Sequence, residues 1–312
     1  MAKQAKQYFL SQLRERVGQL RSLPNSQSLL ESADGRLRLY LRYSKLHAGR
    51  RTFYGLRRQD LLKLQGHRSF ICFIWDGQTE PLILPYEKYE DLFQTISPAP
   101  DGQYKIQVIL HPDGVELYVA GGGRFNVESY LGWEELQQAN EHTETACPEL
   151  THSQVQTLLG AIGSAKGFHI WIPQNDRGNL DWKSVPKFEI TNVLPSAYGN
   201  VREIAEQVDV LWVVKGGGLI QSLYEVEHST TIYSGLLRFN DIHLAVPSLQ
   251  SRFSIVAEDV RRGRFSRQLN RPTFQASGLH DLCGFLEYAE VYGWYKRLSS
   301  VPSERSSRYE EE

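Results

Sequence analysis

The stretch Val208 to Asp241, VDVLWVVKGGGLIQSLYEVEHSTTIYSGLLRFND, holds three carboxylates whose spacing brings them together. Val208 to Lys215 is an apolar run of strand type, Gly216-Gly217-Gly218 supplies turn residues, and Leu219 to Glu227 reads as the returning strand. Asp209 and Glu225 therefore come from neighbouring strands. Side chains on a strand repeat every two residues, so Glu225 and Glu227 share a face and Tyr224 and Val226 take the other. Carboxylates crowded on strands repel one another and resist burial. Such a cluster is solvated, paired with cations or wrapped around a hard divalent metal. A polar sheet face or sheet end is the plain alternative, and spacing alone leaves both open.

The elements that must position these groups lie on either side. Thr151-His152-Ser153 can cap a helix running through Val155, Leu158, Leu159 and Ile162 to Gly163. Gly167 to Pro173 reads as a strand, Gln174 to Ser184 as a polar loop with Asp176, Arg177 and Asp181, and Val201 to Gln207 as a short helix. After Glu227, His228-Ser229-Thr230-Thr231 offers capping residues for a helix through Ile232, Leu236, Leu237 and Ile242. Arg252 to Glu258 is a further strand, Asp259 to Arg271 a basic helix or loop, and Leu279 to Arg297 a closing helix carrying Leu282, Phe285, Leu286, Ala289 and Trp294. The resulting order is helix, strand, strand, strand, helix, strand: an αβββαβ core of the α/β class.

Upstream, Gln4 to Leu23 places Tyr8, Phe9, Leu13, Val17 and Leu20 at helical spacing, and Pro24 breaks the pattern. From Leu37 short strands follow one another: RLRLYLRYS, SFICFIWDG, PLILPY, and a hairpin YKIQVILHPDGVELYVAG turning at Pro112-Asp113-Gly114. These predict an α+β module. The expected division is an N-terminal helix over 1–35, the α+β module over 36–135, a polar and acidic linker over 136–150, the α/β domain over 151–298 and a mobile tail over 299–312.

Net charge is −1 over 312 residues, yet the basic residues are clustered. One cluster runs from Arg36 to Arg68 and includes HAGRRTFYGLRRQDL, where Arg50, Arg51, Arg57 and Arg58 interleave with Phe53 and Tyr54. A second holds Arg261, Arg262, Arg264 and Arg267. This asymmetry suits a polyanion partner, with arginines on phosphates and aromatics near bases. A solvated basic loop over buried aromatics is the other reading of the first cluster. Cys72, Cys147 and Cys283 offer neither a disulfide framework nor the paired spacing of a zinc site. The two Gly-Gly-Gly runs lack the spacing of a dinucleotide or phosphate loop. No apolar run reaches the roughly 20 residues that span a bilayer, and the N-terminus has no apolar signal core, so a cytoplasmic location without membrane contact is expected.

The order of elements and the acidic positions together resemble the PD-(D/E)xK, restriction-endonuclease-like nucleases. Asp209 looks like that motif's first Asp, and Glu225-Val226-Glu227 like its (D/E)xK tripeptide. The stretch is also similar to a bacterial restriction-like group carrying IDVLW, FEVE-(S/T)-T-SIYSGLLRM-DL, IVAPE and RPTF. Here these stand as Val208 to Trp212, Tyr224 to Thr230 with Ser234 to Arg238, Ile255 to Glu258 and Arg271 to Phe274, preceded by IWIPQNDR. The resemblance covers Thr151 to Tyr292. Glu227 stands where most such nucleases have Lys, an ExE variant, and in place of the helix Glu of many relatives the first helix offers His152, Gln154 and Gln156.

The resemblance implies an endonuclease that hydrolyses DNA phosphodiesters with Mg²⁺ or Mn²⁺, in restriction or defence. Asp209 and Glu225 would hold the metal and Glu227 would orient or deprotonate the attacking water. Gln156 and Arg238 are accessory candidates, the first as a carbonyl donor and the second either for phosphate charge or for an ion pair with Glu225, Glu227 or Asp241; Glu203 and Glu206 are fallbacks for the helix Glu. The two arginine clusters would contact DNA, and a homodimer would supply two sites for a double-strand cut. The alternative function is a catalytically reduced, nuclease-like DNA-binding or assembly subunit.

Overall fold

The computed structural model describes residues 2–23, 26–112, 114–141, 147–216, 218–228, 231–246 and 251–300. Ser229 and Thr230 of the expected helix cap, Asp113 and Gly217 of the expected turns, 142–146 of the expected linker and 301–312 of the expected tail lie outside the described residues. The described residues divide into two compact units, within Met1–Thr143 and within Glu144–Val301.

In the first unit α1 (Ala2–Val17) buries Phe9 and Leu13 and stacks Phe9 on Trp133 at 5.2 Å. Gly18, at φ +76, ends it. Leu20 to Ser22, expected as the last helical turn, form the strand β1 (Leu20–Ser22) instead, paired antiparallel with β2 (Leu29–Ser32). The sheet order is β1-β2-β3-β5-β6, with β3 (Leu37–Ser44), β5 (Arg68–Trp75) and β6 (Leu82–Pro85). Arg38 of β3 is almost buried and reaches Glu31 at 2.9 Å; Arg21 reaches the same carboxylate at 2.6 Å. These pairs hold the Glu31 carboxyl below its usual range against the opposing effect of burial.

The second sheet of this unit is antiparallel: β4 (Arg51–Arg57), β7 (Gln103–His111), β8 (Gly114–Val119) and β9 (Gly123–Asn126). The segment expected as an exposed basic loop is therefore largely an edge strand. Alternation separates its residues: Thr52, Tyr54 and Leu56 are buried, while Arg51, Phe53 and Arg57 face solvent. Three short helices complete the unit, α2 (Arg58–Leu62), α3 (Glu90–Thr95) and α4 (Glu134–Glu141).

The second unit starts with α5 (His152–Ala165), closed at its N-terminus by a reciprocal capping box between Thr151 and Gln154. Its sheet runs β10 (His169–Trp171), β11 (Val210–Val213), β12 (Ile220–Glu227), β13 (Arg252–Ala257) and β14 (Cys283–Glu287). β10, β11 and β12 pair antiparallel; β12, β13 and β14 are parallel. α6 (Arg202–Ala205) precedes β11, and α7 (Ile232–Ala245) is the crossover from β12 to β13. α8 (Arg262–Leu269), α9 (Pro272–Ser277) and α10 (Leu279–Leu282) lead into β14, which continues into α11 (Tyr288–Ser300). One face of the sheet packs Val210, Trp212, Tyr224 and Val226 against α5 and α11. The other packs Leu211, Leu223, Phe253 and Ile255 against α7 and α8.

The expected closing helix over Leu279 to Arg297 is thus corrected: a fifth strand lies inside it. Leu282, Phe285, Leu286 and Ala289 have helical spacing, but Phe285 and Leu286 bury on opposite sides of the sheet. A short strand covered on both faces gives a continuous apolar run that periodicity cannot tell from a helix. Among the described residues no helix is long and apolar enough to cross a membrane.

Candidate active site

The three carboxylates come together where β11 begins and β12 ends. Asp209 precedes β11, and its Oδ2 accepts the backbone N–H of Val226 at 2.6 Å. That bond ties Asp209 to the link between Glu225 and Glu227. The parallel register aligns Glu227 with Ala257 and Glu287 at the carboxyl ends of β12, β13 and β14. Crevices at such strand ends are where open α/β sheets bind ligands.

Glu225 and Glu227 are 1% and 2% exposed, so neither is an ordinary solvated surface acid. They point toward α7, which comes close because residue 235 has no side chain. A Cβ there would lie 3.1 Å from Glu227 Oε1 and 3.2 Å from Glu225 Cβ. From the next turn Arg238 donates Nε and Nη2 to the two oxygens of Glu225, at 2.7 and 2.6 Å. Burial pushes the Glu225 carboxyl up to about 8; the Arg238 bonds oppose this, and the charges of Asp209 and Glu227 add to it. Arg238 therefore does what the sequence left open between phosphate contact and ion pairing: it pairs with Glu225.

α5 supplies the opposite wall. His152 Nε2 lies 3.5 Å from Asp209 Oδ1. Burial works to lower the imidazole, but the hydrogen bond and charge of Asp209, with the charges of Asp176 and Glu227, hold it above its ordinary value. One turn on, Gln156 is fully buried; its Nε2 donates to Asp176 Oδ2 at 3.0 Å and to the Asp209 carbonyl at 3.3 Å. Gln156 Oε1 is buried with no hydrogen-bond partner among the described residues. Both neighbours of Nε2 are acceptors, which fixes the amide orientation and leaves the carbonyl oxygen in need of a donor or cation.

Two further residues join the cluster that sequence reasoning did not assign to it. Tyr288, the first residue after β14, stacks its ring parallel to His228 at 6.4 Å, and its hydroxyl is buried without a partner among the described residues. Burial, then the charges of Glu258, Asp209 and Glu227 against Arg261, raise the phenol so that it stays neutral. No sequence signal marks it, because its place depends on β14. Asp176 stood in the sequence within a polar loop and the IWIPQNDR run, with no role assigned; its bond to Gln156 gives it one in orienting that amide.

The second arginine cluster divides. Arg261 donates to the carbonyls of Glu227 and His228, at 3.0 and 2.6 Å, and so fixes the end of β12. Arg262 pairs with Asp259 at 2.9 Å and with Glu287, and lies over the Phe285 ring. Arg264 and Arg267 are exposed on α8. Of the fallback acids, Glu206 is held by Arg202 in an exposed pair at 2.7 Å.

The donors at this centre, carboxylates and one amide carbonyl, are hard oxygens suited to Mg²⁺ or Mn²⁺, and the orphaned Gln156 Oε1 fits such an ion. Among the described residues, however, no three His, Cys, Asp or Glu side chains are arranged to hold a metal ion, and both Glu225 oxygens are engaged by Arg238.

An acidic centre between two helix starts at one end of a mixed sheet defines the second unit as an α/β domain with its carboxylates gathered at the strand ends. The family model of the type II restriction enzyme NmeDI C-terminal domain matches residues 134–303, and the chain belongs to that family. The type II restriction enzyme NmeDI of Neisseria meningitidis serogroup C is 36% identical over 134 residues, a segment covering 40% of this chain and 37% of the relative. The chain thus spans little more than a third of that relative's length. No solved structure matches it.

Proposed function

We propose that the chain is a divalent-metal-dependent endodeoxyribonuclease of restriction type, acting in the cytoplasm, whose second unit carries a PD-(D/E)xK site in its ExE form. The observation that carries this reading is the bond from Val226 N–H to Asp209, which holds the first carboxylate against the Glu225-Val226-Glu227 tripeptide at a sheet end. Membership of a restriction-enzyme family supports DNA as the substrate.

Asp209, Glu225 and the Gln156 carbonyl would hold the ion, which when bound polarises the phosphate and acidifies water. The chain's own groups then have separate tasks. Glu227 orients the attacking water and takes its proton as the water oxygen bonds to phosphorus and the P–O bond to the leaving sugar oxygen breaks. His152, 3.5 Å from Asp209 and held by it above the ordinary imidazole value, stands where the usual lysine would bring positive charge. Arg238 guards Glu225 and, on arrival of a phosphate, transfers to its oxygen and frees the carboxylate. Exposed Arg264 and Arg267, with Arg50, Arg51, Arg57 and Arg58, contact the DNA backbone. A homodimer would bring two such sites to the two strands.

The bidentate Arg238 pair also favours a second reading, in which Glu225 is permanently locked and the chain is a DNA-binding or assembly subunit. Nicking of methylated and unmethylated plasmid under Mg²⁺ or Mn²⁺, with Asp209→Ala and Glu225→Ala as controls, separates the two; parallel RNA and single-strand substrates test the substrate class. Cleavage abolished by either substitution supports the nuclease. If pure protein binds DNA without ever nicking it, and Asp209→Ala leaves every property intact, the subunit reading replaces it.

A further inference from the structure

The geometry points to a single-stranded or unpaired-base DNA site on the solvent face of the β4-β7-β8-β9 sheet, with Phe53 as its stacking platform. This rests on the reading of the chain as a DNA-acting protein and is independent of the acidic centre. Phe53 is 50% exposed in the middle of β4, although a phenyl ring on a sheet normally faces the core. It is held in place by the edge of the His47 ring, 5.3 Å away at 79°. Arg51 and Arg57 share its face, and neither makes an ion pair among the described residues. Across the strands Phe53 lies level with Gln107, Tyr118 and Arg124, and the Arg124 guanidinium covers the Tyr118 ring at 5.1 Å.

A protein partner would call for a contiguous apolar patch around the exposed ring. Phe53 instead has arginines along its strand and an amide across from it. Arg124 is paired with Glu116 on the same face, which leaves Arg51 and Arg57 as the cations beside Phe53 without an ion pair among the described residues; a ring flanked by such cations is what a stacked base and its phosphates need. The bases of a duplex have their π-faces covered by neighbouring pairs, whereas an unpaired base offers both. The turn that leads into β4 is strained in keeping with a functional surface. Arg50, at φ 53, is the one non-glycine residue with positive φ among the described residues.

The test measures binding of the full-length chain, with EDTA to prevent cleavage, to labelled single-stranded DNA, to a fully paired duplex and to a duplex with one bulged base. Expected is preference for the single strand and the bulge over the paired duplex. Phe53→Ala should weaken single-strand binding about 5- to 150-fold, corresponding to the usual loss of one base stack. Phe53→Trp should keep it, with tryptophan fluorescence quenched on binding, and Phe53→Leu should behave like Phe53→Ala because it keeps apolar bulk without a π-face. Arg51→Ala and Arg57→Ala should each flatten the dependence of log affinity on log salt by about 0.7. Because Phe53 is exposed, an unchanged melting temperature shows that the variants fold. Single-strand affinity unchanged in Phe53→Ala, or fully kept by Phe53→Leu, overturns the site. A chain that never nicks DNA but shows Phe53-dependent binding leaves this site standing and removes the nuclease; active cleavage with no Phe53 dependence does the reverse.

Discussion

The Asp209 carboxylate stands where a backbone acceptor would otherwise be, taking the Val226 N–H at 2.6 Å while its other oxygen faces His152 at 3.5 Å. One side chain thus joins β11, β12 and α5. Removing it with Asp209→Ala leaves a buried amide unmet and should cost about 1–3 kcal/mol in chemical denaturation. Asp209→Asn keeps an acceptor and should cost less, yet both should abolish plasmid nicking. Cleavage that survives in Asp209→Asn would remove the charge of Asp209 from the chemistry.

Arg238 and Glu225 form a pair with one member almost wholly buried. Breaking it with Arg238→Met should destabilise the chain by about 3 kcal/mol, because the carboxyl is left without its partner. Adding Glu225→Gln to that variant should recover much of the loss, which a double-mutant cycle by urea denaturation would read.

Gly235 lies inside α7, where alanine would ordinarily strengthen a helix by about 1 kcal/mol. Here the added Cβ meets Glu227 Oε1 at 3.1 Å and Glu225 Cγ at 3.2 Å, so the carboxylates must shift by a few tenths of an ångström. Gly235→Ala should therefore change the melting temperature little and reduce cleavage at least about tenfold, since sites of this kind tolerate small displacements poorly. Wild-type cleavage in this variant would show that the carboxylate positions do not matter.

Burial raises the Glu287 carboxyl to about 7; the Arg262 hydrogen bond opposes this and the Glu290 charge adds to it. A carboxyl raised on folding binds its proton more tightly in the native state. Its contribution is full below about 4.5 and is lost as pH rises through about 7. Stability should fall across that window with a slope of up to about 1.4 kcal/mol per pH unit from this group. Denaturation curves of Glu287→Gln at several pH values should lack that component; an unchanged slope would assign it elsewhere.

Much of the second unit is legible from the chain because its signals are local. The capping box at Thr151, the strand run from Val210 and the helical stripe from Ile232 each depend on residues a few positions apart. The convergence of Asp209 with Glu225 and Glu227 follows from one antiparallel pairing and the period of a strand. β14 was hidden because Phe285 and Leu286 are buried on both sides, and with it the place of Tyr288 at the site. In the first unit, strand alternation decides which aromatic is exposed: Tyr54 goes inside, with its hydroxyl on the Ile74 carbonyl, and Phe53 goes out.

The sequence by itself determined the acidic triplet, the order of elements around it and the clustering of arginines, since each is a matter of residue type and short-range spacing. The tertiary structure decided the partners. That Arg238 closes on Glu225, that Gln156 presents an unmatched carbonyl beside Asp209, and that Arg261 and Arg262 turn inward while Arg264 and Arg267 stay exposed depend on contacts between segments distant in the chain. Such contacts are set by how helices and strands pack, which periodicity within a single segment does not record.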